Sequence, residues 1–150
     1  MTLLAKDLMW SKPPLISPDM TLQAAAKKMT ETDAGVLPVG KDGKIEGIIT
    51  DRDIVVRAVS EGKISEKAKV SDFMSSHVYS CKETDTIKSA AETMKKKKVS
   101  RLAVMNGENR FTGILSFGHI FRDDANAEEA TDIITRVTNR NLREKKTAAA

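Results

Sequence analysis

The chain has 150 residues, a formal net charge of +4 and 40% hydrophobic residues, a composition typical of a folded domain and not of a disordered chain. No apolar run approaches the roughly 20 residues of a membrane-spanning helix, and the N-terminus lacks the apolar stretch of a secretory signal. The single cysteine, Cys81, excludes a disulfide framework and a cysteine-based zinc site, so we expect a cytoplasmic protein without membrane contact.

The first predicted elements are a short extended piece over residues 15–17 and a helix that follows it. Prolines on both sides of the extended piece, Pro13, Pro14 and Pro18, exclude a helix there. The helix is predicted from apolar residues that recur at the spacing of one helix face: Leu22, Ala25, Ala26 and Met29. Two apolar runs come next, Val36 to Val39 and Ile45 to Thr50, with the hairpin signal Asp42-Gly43 between them. A second helix is predicted from Asp51 to Glu61.

The same order of elements recurs 65 to 66 residues further along the chain. An extended piece, Val78 to Cys81, precedes a helix with the same apolar spacing: Ile87, Ala90, Ala91 and Met94. Two apolar runs follow, Arg101 to Met105 and Phe111 to Ser116, joined through the hairpin signal Asn106-Gly107. The last helix of this stretch is predicted from Phe117 to about Asp124.

Matching residues across this offset indicate an internal repeat. Examples are the pairs Met9 and Met74, Thr21 and Thr86, and Gly47 and Gly113. We predict an α+β fold of two β-α-β-β-α copies, residues 4–62 and 70–123, with an approximate twofold axis and a cleft between them. Residues 126–150 are expected to form a C-terminal helix with an apolar stripe, followed by a frayed tail.

The junction between strand and helix at Thr50 carries the sharpest motif, Gly47-Ile48-Ile49-Thr50-Asp51-Arg52-Asp53. One interpretation is a capping box, in which Thr50 caps the helix and Asp53 reaches back to it. The other interpretation places a ligand at the same junction. The N–H groups of a helix start, with Thr50 and Arg52, suit a phosphate, and Asp53 can accept hydrogen bonds from two ribose hydroxyls. The sequence leaves both interpretations open.

The second copy differs from the first at this junction. Ser116 stands in place of Thr50 and keeps the capping hydroxyl, but His119 stands in place of Asp53. We expect this histidine to break the capping box and to remove the carboxylate that would bind ribose. A neutral imidazole can accept only one hydrogen bond, so the second junction is the weaker candidate site.

A run of four lysines, Lys95 to Lys98, ends the first helix of the second copy. Basic residues in a last helical turn are favoured by the helix dipole, and most such runs are a solvated face. The alternative is a patch that binds nucleic acid together with Arg101, but aromatic residues are only 4% of the chain, too few for base stacking. Arg101 is the better phosphate ligand, because its planar fork can contact two oxygens.

Neither catalysis nor a metal requirement is expected. The sequence has no nucleophile elbow, no glycine-rich dinucleotide fingerprint and no zinc-protease motif, and Cys81 is interpreted as a small strand residue. The second helix of copy one presents more apolar residues than its own sheet can cover: Ile54, Val55, Ala58 and Val59. We therefore expect a homodimer.

With these residues identified, the chain resembles the CBS-domain pair, the regulatory module named after cystathionine β-synthase. The resemblance covers about residues 4–123. It depends most on the motif from Gly47 to Asp53, and also on four shorter segments: Asp7-Leu8-Met9, Ser17 to Leu22, Gly35 to Val39, and Asp72-Phe73-Met74.

The resemblance implies an adenosine-containing ligand, such as AMP, ADP, ATP or S-adenosylmethionine, in the cleft between repeats. It implies that Thr50 and Asp53 contact ribose and phosphate. By position it also implies residues that line the base pocket, which are Leu15, Ile16, Val36, Leu37 and Pro38 in copy one and Ser80, Cys81, Ser100, Arg101 and Leu102 in copy two.

We therefore predict a module that senses AMP, ADP or ATP without catalysis and passes the ligand state to a regulated protein in trans. Two alternatives stay open. One is a nucleic-acid-binding protein that uses the lysine run, although nucleic acid is the less favoured partner. The other is a purely structural dimer without a ligand.

Overall fold

Both helices predicted from apolar spacing are present in the computed structural model, which describes residues 2–122 and 126–137. In chain order the helices are α1 (Ala5–Leu8), α2 (Leu22–Thr32), α3 (Asp51–Asp53), α4 (Ile87–Lys97) and α5 (Phe117–Phe121). A π-helix covers Ile54–Val59, a 3₁₀-helix covers Val70–Asp72, and a C-terminal helix covers 127–137. Among the described residues, no helix combines the length and the apolar character needed to cross a bilayer.

The two long helices begin and end in the same way. The hydroxyl of Thr21 accepts from the N–H of Ala24 at the start of α2, and that of Thr86 accepts from Ser89 at the start of α4. Each helix stops at a residue in the left-handed conformation, Asp33 for α2 and Lys98 for α4. Local sequence therefore fixes both boundaries.

The strands are β1 (Trp10–Ser11), β2 (Val36–Lys41), β3 (Lys44–Thr50), β4 (Ser80–Lys82), β5 (Arg101–Met105) and β6 (Phe111–Ser116). The β2–β3 turn is as predicted, because Asp42 and Gly43 both have positive φ. The β5–β6 turn is not the predicted two-residue turn. The Asn106 side chain accepts from the N–H groups of Glu108 and Arg110, and the loop covers residues 106–110.

The chain forms two units whose boundaries differ from those of the sequence copies. The continuous unit is Pro13–Val78, and the discontinuous unit joins the described residues up to Lys12 with those from Tyr79 onward. The first residues of each copy, 4–12 in copy one and 70–78 in copy two, are called its lead segment. Each lead segment belongs to the unit that holds most of the other copy. The boundaries 4–62 and 70–123 remain a prediction about the sequence copies and do not describe these units.

Strand pairing shows the exchange directly. In the discontinuous unit the sheet order is β1-β6-β5-β4, with Trp10 opposite Ile114 in the β1–β6 pair. In the continuous unit β2 and β3 pair with each other, and Ser75 exchanges two backbone hydrogen bonds of 2.9 Å with Ile48 of β3. Ser75 lies 65 residues after Trp10, so the two lead segments make equivalent contacts.

A glycine makes each of these contacts possible. A Cβ atom on Gly47 would lie 2.7 Å from the carbonyl oxygen of Ser75. A Cβ atom on Gly113 would lie 2.8 Å from the carbonyl oxygen of Trp10 and would also overlap the Met9 side chain. The matched pair of glycines thus reflects close backbone approach rather than turn formation.

The C-terminal helix packs on the core of the discontinuous unit. The buried core residues there are Ala5, Cys81, Ile87, Ala90, Ala91, Met94, Leu102, Val104, Leu115, Ile120, Ala130 and Ile133. The last two belong to the C-terminal helix and lie on its predicted apolar stripe, Ala130, Ile133, Ile134 and Val137, but Ile134 is 44% exposed. The tail that was expected to fray lies outside the described residues.

We predict that Gly113→Ala destabilises the chain by about 1–3 kcal/mol, because the added methyl group would overlap the lead segment. Urea denaturation measures the change in the free energy of unfolding. Gly118→Ala in α5 is the matched control. Its Cβ atom would be 3.6 Å from the nearest atom, the Ser116 hydroxyl oxygen, so stability should hold or rise. Equal losses in both variants would contradict the close-approach explanation.

Candidate functional site

The junction at Thr50 forms where β3 ends beside the start of β2. Val36 lies opposite Thr50 in the register of the hairpin, and the N–H of Asp51 donates to the Gly35 carbonyl at 2.9 Å. The Thr50 hydroxyl accepts from the N–H of Asp53 at 3.0 Å, and Asp53 Oδ2 accepts from the N–H of Thr50 at 2.9 Å. The capping box is therefore present.

Capping does not exhaust the chemistry of Asp53. An ionised carboxylate has about four lone-pair positions on its two oxygens, and the cap uses one position on Oδ2. The Asp53 side chain is 15% exposed, so it is sheltered but reachable. The two interpretations of the motif are thus compatible, because the residue that closes the cap still has acceptors for a ligand.

Arg57 is the nearest cation to Asp53 among the described ion pairs, and sequence reasoning missed it. Its Nε lies 3.7 Å from Asp53 Oδ1, one helical turn along the chain. The spacing i, i+4 is the ordinary signal for such a pair and could have identified it. Arg52, the cation that the sequence suggested, is exposed.

The predicted helix from Asp51 to Glu61 is present with a change of type. After α3 the chain continues as the π-helix, with i+5 hydrogen bonds such as Ser60 N–H to the Val55 carbonyl at 2.9 Å. Helices of this type are rare and concentrate at functional sites. The sequence carries no signal for the wider turn.

Four of the residues expected near a base lie on β2 or are hydrogen-bonded to it. The Ile16 N–H donates to the Pro38 carbonyl, and the Gly40 N–H donates to the Ile16 carbonyl, both at 2.9 Å. The side chains of Ile16, Val36, Leu37 and Pro38 are buried. Their contact with a base remains a prediction.

The second junction corrects the prediction made for His119. The Ser116 hydroxyl accepts from the N–H of His119 at 3.3 Å, and His119 Nδ1 accepts from the N–H of Ser116 at 3.1 Å. Histidine therefore completes the capping box instead of breaking it. The reason is that an unprotonated ring nitrogen can accept a hydrogen bond in the position that a carboxylate oxygen occupies in the first copy.

This geometry also limits what His119 can bind. Since Nδ1 accepts from the backbone, the neutral ring carries its proton on Nε2, which can then donate but not accept. Burial lowers the pKa of His119, and the positive charges of Arg122 and Arg101 lower it further. Arg101 lies opposite Ser116 in the β5–β6 register. The second junction offers donors and cations where the first offers a carboxylate.

The lysine run is not a uniform basic patch. Lys95 is buried, and its Nζ lies 2.6 Å from Glu92 and 2.8 Å from Glu129 of the C-terminal helix. These hydrogen bonds raise the pKa of Lys95. Lys97 lies over the Tyr79 ring at 5.4 Å from its centroid. Lys95 thus fastens the C-terminal helix and is withdrawn from any contact with nucleic acid.

Cys81 behaves as the sequence suggested. It is buried in β4, and burial, with a smaller contribution from the charge of Asp85, raises its pKa to about 12. The thiol is therefore protonated at neutral pH and unsuited to bind metal or act as a nucleophile. The part of the chain that the structure describes has no cluster of three or more histidine, cysteine, aspartate or glutamate residues that could hold a metal ion.

We predict that the free energy of unfolding falls as the pH drops below the ordinary histidine value of about 6.5. The pKa of His119 is lowered by the fold, so the unfolded chain binds the proton more readily and acid favours unfolding. Urea denaturation between pH 7.5 and 5.5 measures the loss. His119→Asp should flatten this dependence, because the group that binds the proton is then removed. If His119→Asp leaves the slope unchanged, the expected contribution of His119 to this pH dependence is wrong.

Comparison with known proteins identifies the repeat. The family model of the CBS domain matches residues 5–60 and again 70–126. The CBS domain-containing protein YhcV of Bacillus subtilis is 28% identical over 137 residues, which cover 91% of this chain and 96% of that protein.

Two solved structures with bound ligands are similar in fold. The CBS domain pair of protein MJ0100, in complex with 5′-methylthioadenosine and S-adenosyl-L-methionine, is 28% identical with a TM-score of 0.69, covering 81% of this chain and 95% of that one. CBSX2 in complex with AMP is 22% identical with a TM-score of 0.66, covering 79% and 93%. The two family matches span most of the sequence, and the chain therefore belongs to the CBS-domain family as a tandem pair.

Proposed function

We propose that this CBS pair is a regulatory module that senses an adenine nucleotide, AMP, ADP or ATP, at the first junction and has no catalysis of its own. The observation that carries the proposal is the Thr50–Asp53 pair at the strand end, in which the cap uses carboxylate oxygen Oδ2 and Oδ1 lies 3.7 Å from Arg57 Nε. The adenosine ligands of MJ0100 and CBSX2 support the choice of ligand class. A cleft between the repeats remains a prediction.

The donor set at this junction suits a nucleotide. Asp53 offers the acceptor that a ribose diol needs, and the Thr50 hydroxyl can donate to a phosphate oxygen while it accepts from Asp53. Exposed Arg52 adds a cation next to that position. The proposal requires no metal ion.

The second junction suits a different role. His119 and Arg101 present donors and positive charge, so this junction would contact phosphate oxygens but would not grip a diol. Occupancy of the first junction would then set the state of the module, and a regulated protein in trans would respond to it. The cytoplasm remains our proposed compartment.

Two other functions remain as alternatives. Nucleic-acid binding is weakened by the ion pairs of Lys95, which leave a shorter basic run. If the protein is a purely structural dimer without a ligand, no nucleotide should bind. Binding that falls steeply with added salt but ignores AMP would favour the first alternative.

We also propose that the module is a homodimer. Val55, Val56 and Val59 of the π-helix are 57%, 46% and 54% exposed, an apolar surface that the described residues leave open to solvent. Ala58, which the sequence placed on the same surface, is fully buried inside the chain. Burial of the three valines against a second copy would remove them from water.

We predict that Asp53→Ala weakens AMP binding more than His119→Ala does. A charge-assisted hydrogen bond contributes roughly 1.5–3 kcal/mol, so the loss should be tenfold or more. Calorimetric titration measures the affinity, and urea denaturation of both variants separates binding from the loss of a cap. Equal losses would contradict a dominant first junction.

Adenosine should bind at least about tenfold more weakly than AMP, which corresponds to about 1.4 kcal/mol. The reason is that adenosine lacks the phosphate that would contact the helix start and Arg52. The gap should narrow at high salt, because screening weakens exposed ionic contacts. Titration of both compounds at two salt concentrations tests this. Equal affinities at low salt would reduce Thr50 to a cap alone.

Light scattering at micromolar concentration should give a mass of about twice 16.4 kDa. Val59→Glu should lower the mass to that of one chain, because an exposed apolar contact would then carry a charge. Ile64→Glu, at a residue 53% exposed but outside the π-helix, is the control and should leave the dimer intact. A single-chain mass for the unaltered protein would remove the proposed dimer.

A further inference from the structure

Arg57 contacts both Asp53 of the first junction and the backbone of the lead segment of the second copy. Its Nε faces Asp53 Oδ1 at 3.7 Å, while its Nη1 donates to the carbonyl oxygens of Phe73 and Met74, each at 3.3 Å. Phe73 and Met74 belong to the lead segment of the second copy. The Arg57 guanidinium therefore connects Asp53, the residue proposed to bind ribose, with a segment 16 to 17 residues further along the chain.

That lead segment is tied to the same strand that carries the junction. Ser75, the next residue, exchanges two backbone hydrogen bonds with Ile48, which lies two residues before Thr50 in β3. The Met74 side chain and the Ser75 carbonyl also lie against Gly47. A displacement of the segment would thus change both the position of Arg57 and the edge of β3.

We propose that Arg57 is a positioning residue that orients the Asp53 carboxylate for a ribose diol and links diol binding to the lead segment Phe73–Ser75. This inference rests on the proposed function. The Thr50 N–H holds Asp53 Oδ2, so the direction of Oδ1 depends on the group that lies beside Oδ1. That group is the Arg57 guanidinium, which is itself oriented by its hydrogen bonds to two carbonyl oxygens.

The guanidinium is suited to this role in a way that an ammonium is not. Its planar donors point in fixed directions, so Nε can face the carboxylate while Nη1 donates to the carbonyl oxygens. A lysine has one flexible point charge and can serve one side at a time. Arg57→Lys should therefore keep the charge and lose part of the orientation.

The test compares AMP with 2′-deoxy-AMP, since the two differ only in one hydroxyl of the diol. The unaltered protein should prefer AMP by about tenfold, the size of one charge-assisted hydrogen bond. Arg57→Gln should lower this preference to below about threefold while the affinity for 2′-deoxy-AMP changes little. Arg57→Lys should lie between. Lys63→Gln, which removes an exposed charge from the same unit, is the control and should keep the preference.

A second readout follows the link to the lead segment. AMP should slow hydrogen exchange at the amides of Ile48 and Ser75 in the unaltered protein but not in Arg57→Gln. If Arg57→Gln weakens the binding of both nucleotides equally, or keeps the full preference for AMP over 2′-deoxy-AMP, the positioning role is wrong and the proposed function stands. If the unaltered protein binds neither nucleotide, the proposed function fails and this inference fails with it.

Discussion

The reciprocal hydrogen bonds between Thr50 and Asp53 are the contact on which the candidate site depends. They end β3, start the helix that follows and fix the carboxylate at the strand end. The same pair of bonds recurs at Ser116 and His119, with φ and ψ of the capping residues equal within one degree. One backbone geometry is therefore built twice with two different acceptors, and the difference between the two junctions is chemical rather than structural.

The two sequence copies exchange their lead segments, so neither compact unit corresponds to one copy. Each unit includes a strand or a bridge that comes from the lead segment of the other copy. Gly47 and Gly113 allow this close approach, and Arg57 adds a side-chain link in the first copy alone among the described contacts. Each unit therefore contains residues of both sequence copies.

Local signals predicted a large part of this structure, because helices, hairpins and caps depend on neighbours in the sequence. The apolar spacing of Leu22 to Met29, the Asp42-Gly43 turn and the Thr50–Asp53 cap are all found. Features that depend on distant partners were not predicted. The ion pairs of Lys95 need the C-terminal helix, and the bridge made by Arg57 needs Phe73 and Met74. The role of His119 was predicted wrongly, because an imidazole was treated as unable to complete a cap.

The claim that the first junction binds an adenine nucleotide is tested most directly by amide chemical shifts. The ¹⁵N-labelled chain is titrated with AMP, and the shift of each backbone amide is followed to saturation. We expect the largest saturable changes at Thr50, Asp53 and the Gly35–Val36 segment beside them, and smaller ones at Ser116 and His119. Changes confined to the lysine run of α4, or no saturable change at all, would contradict it.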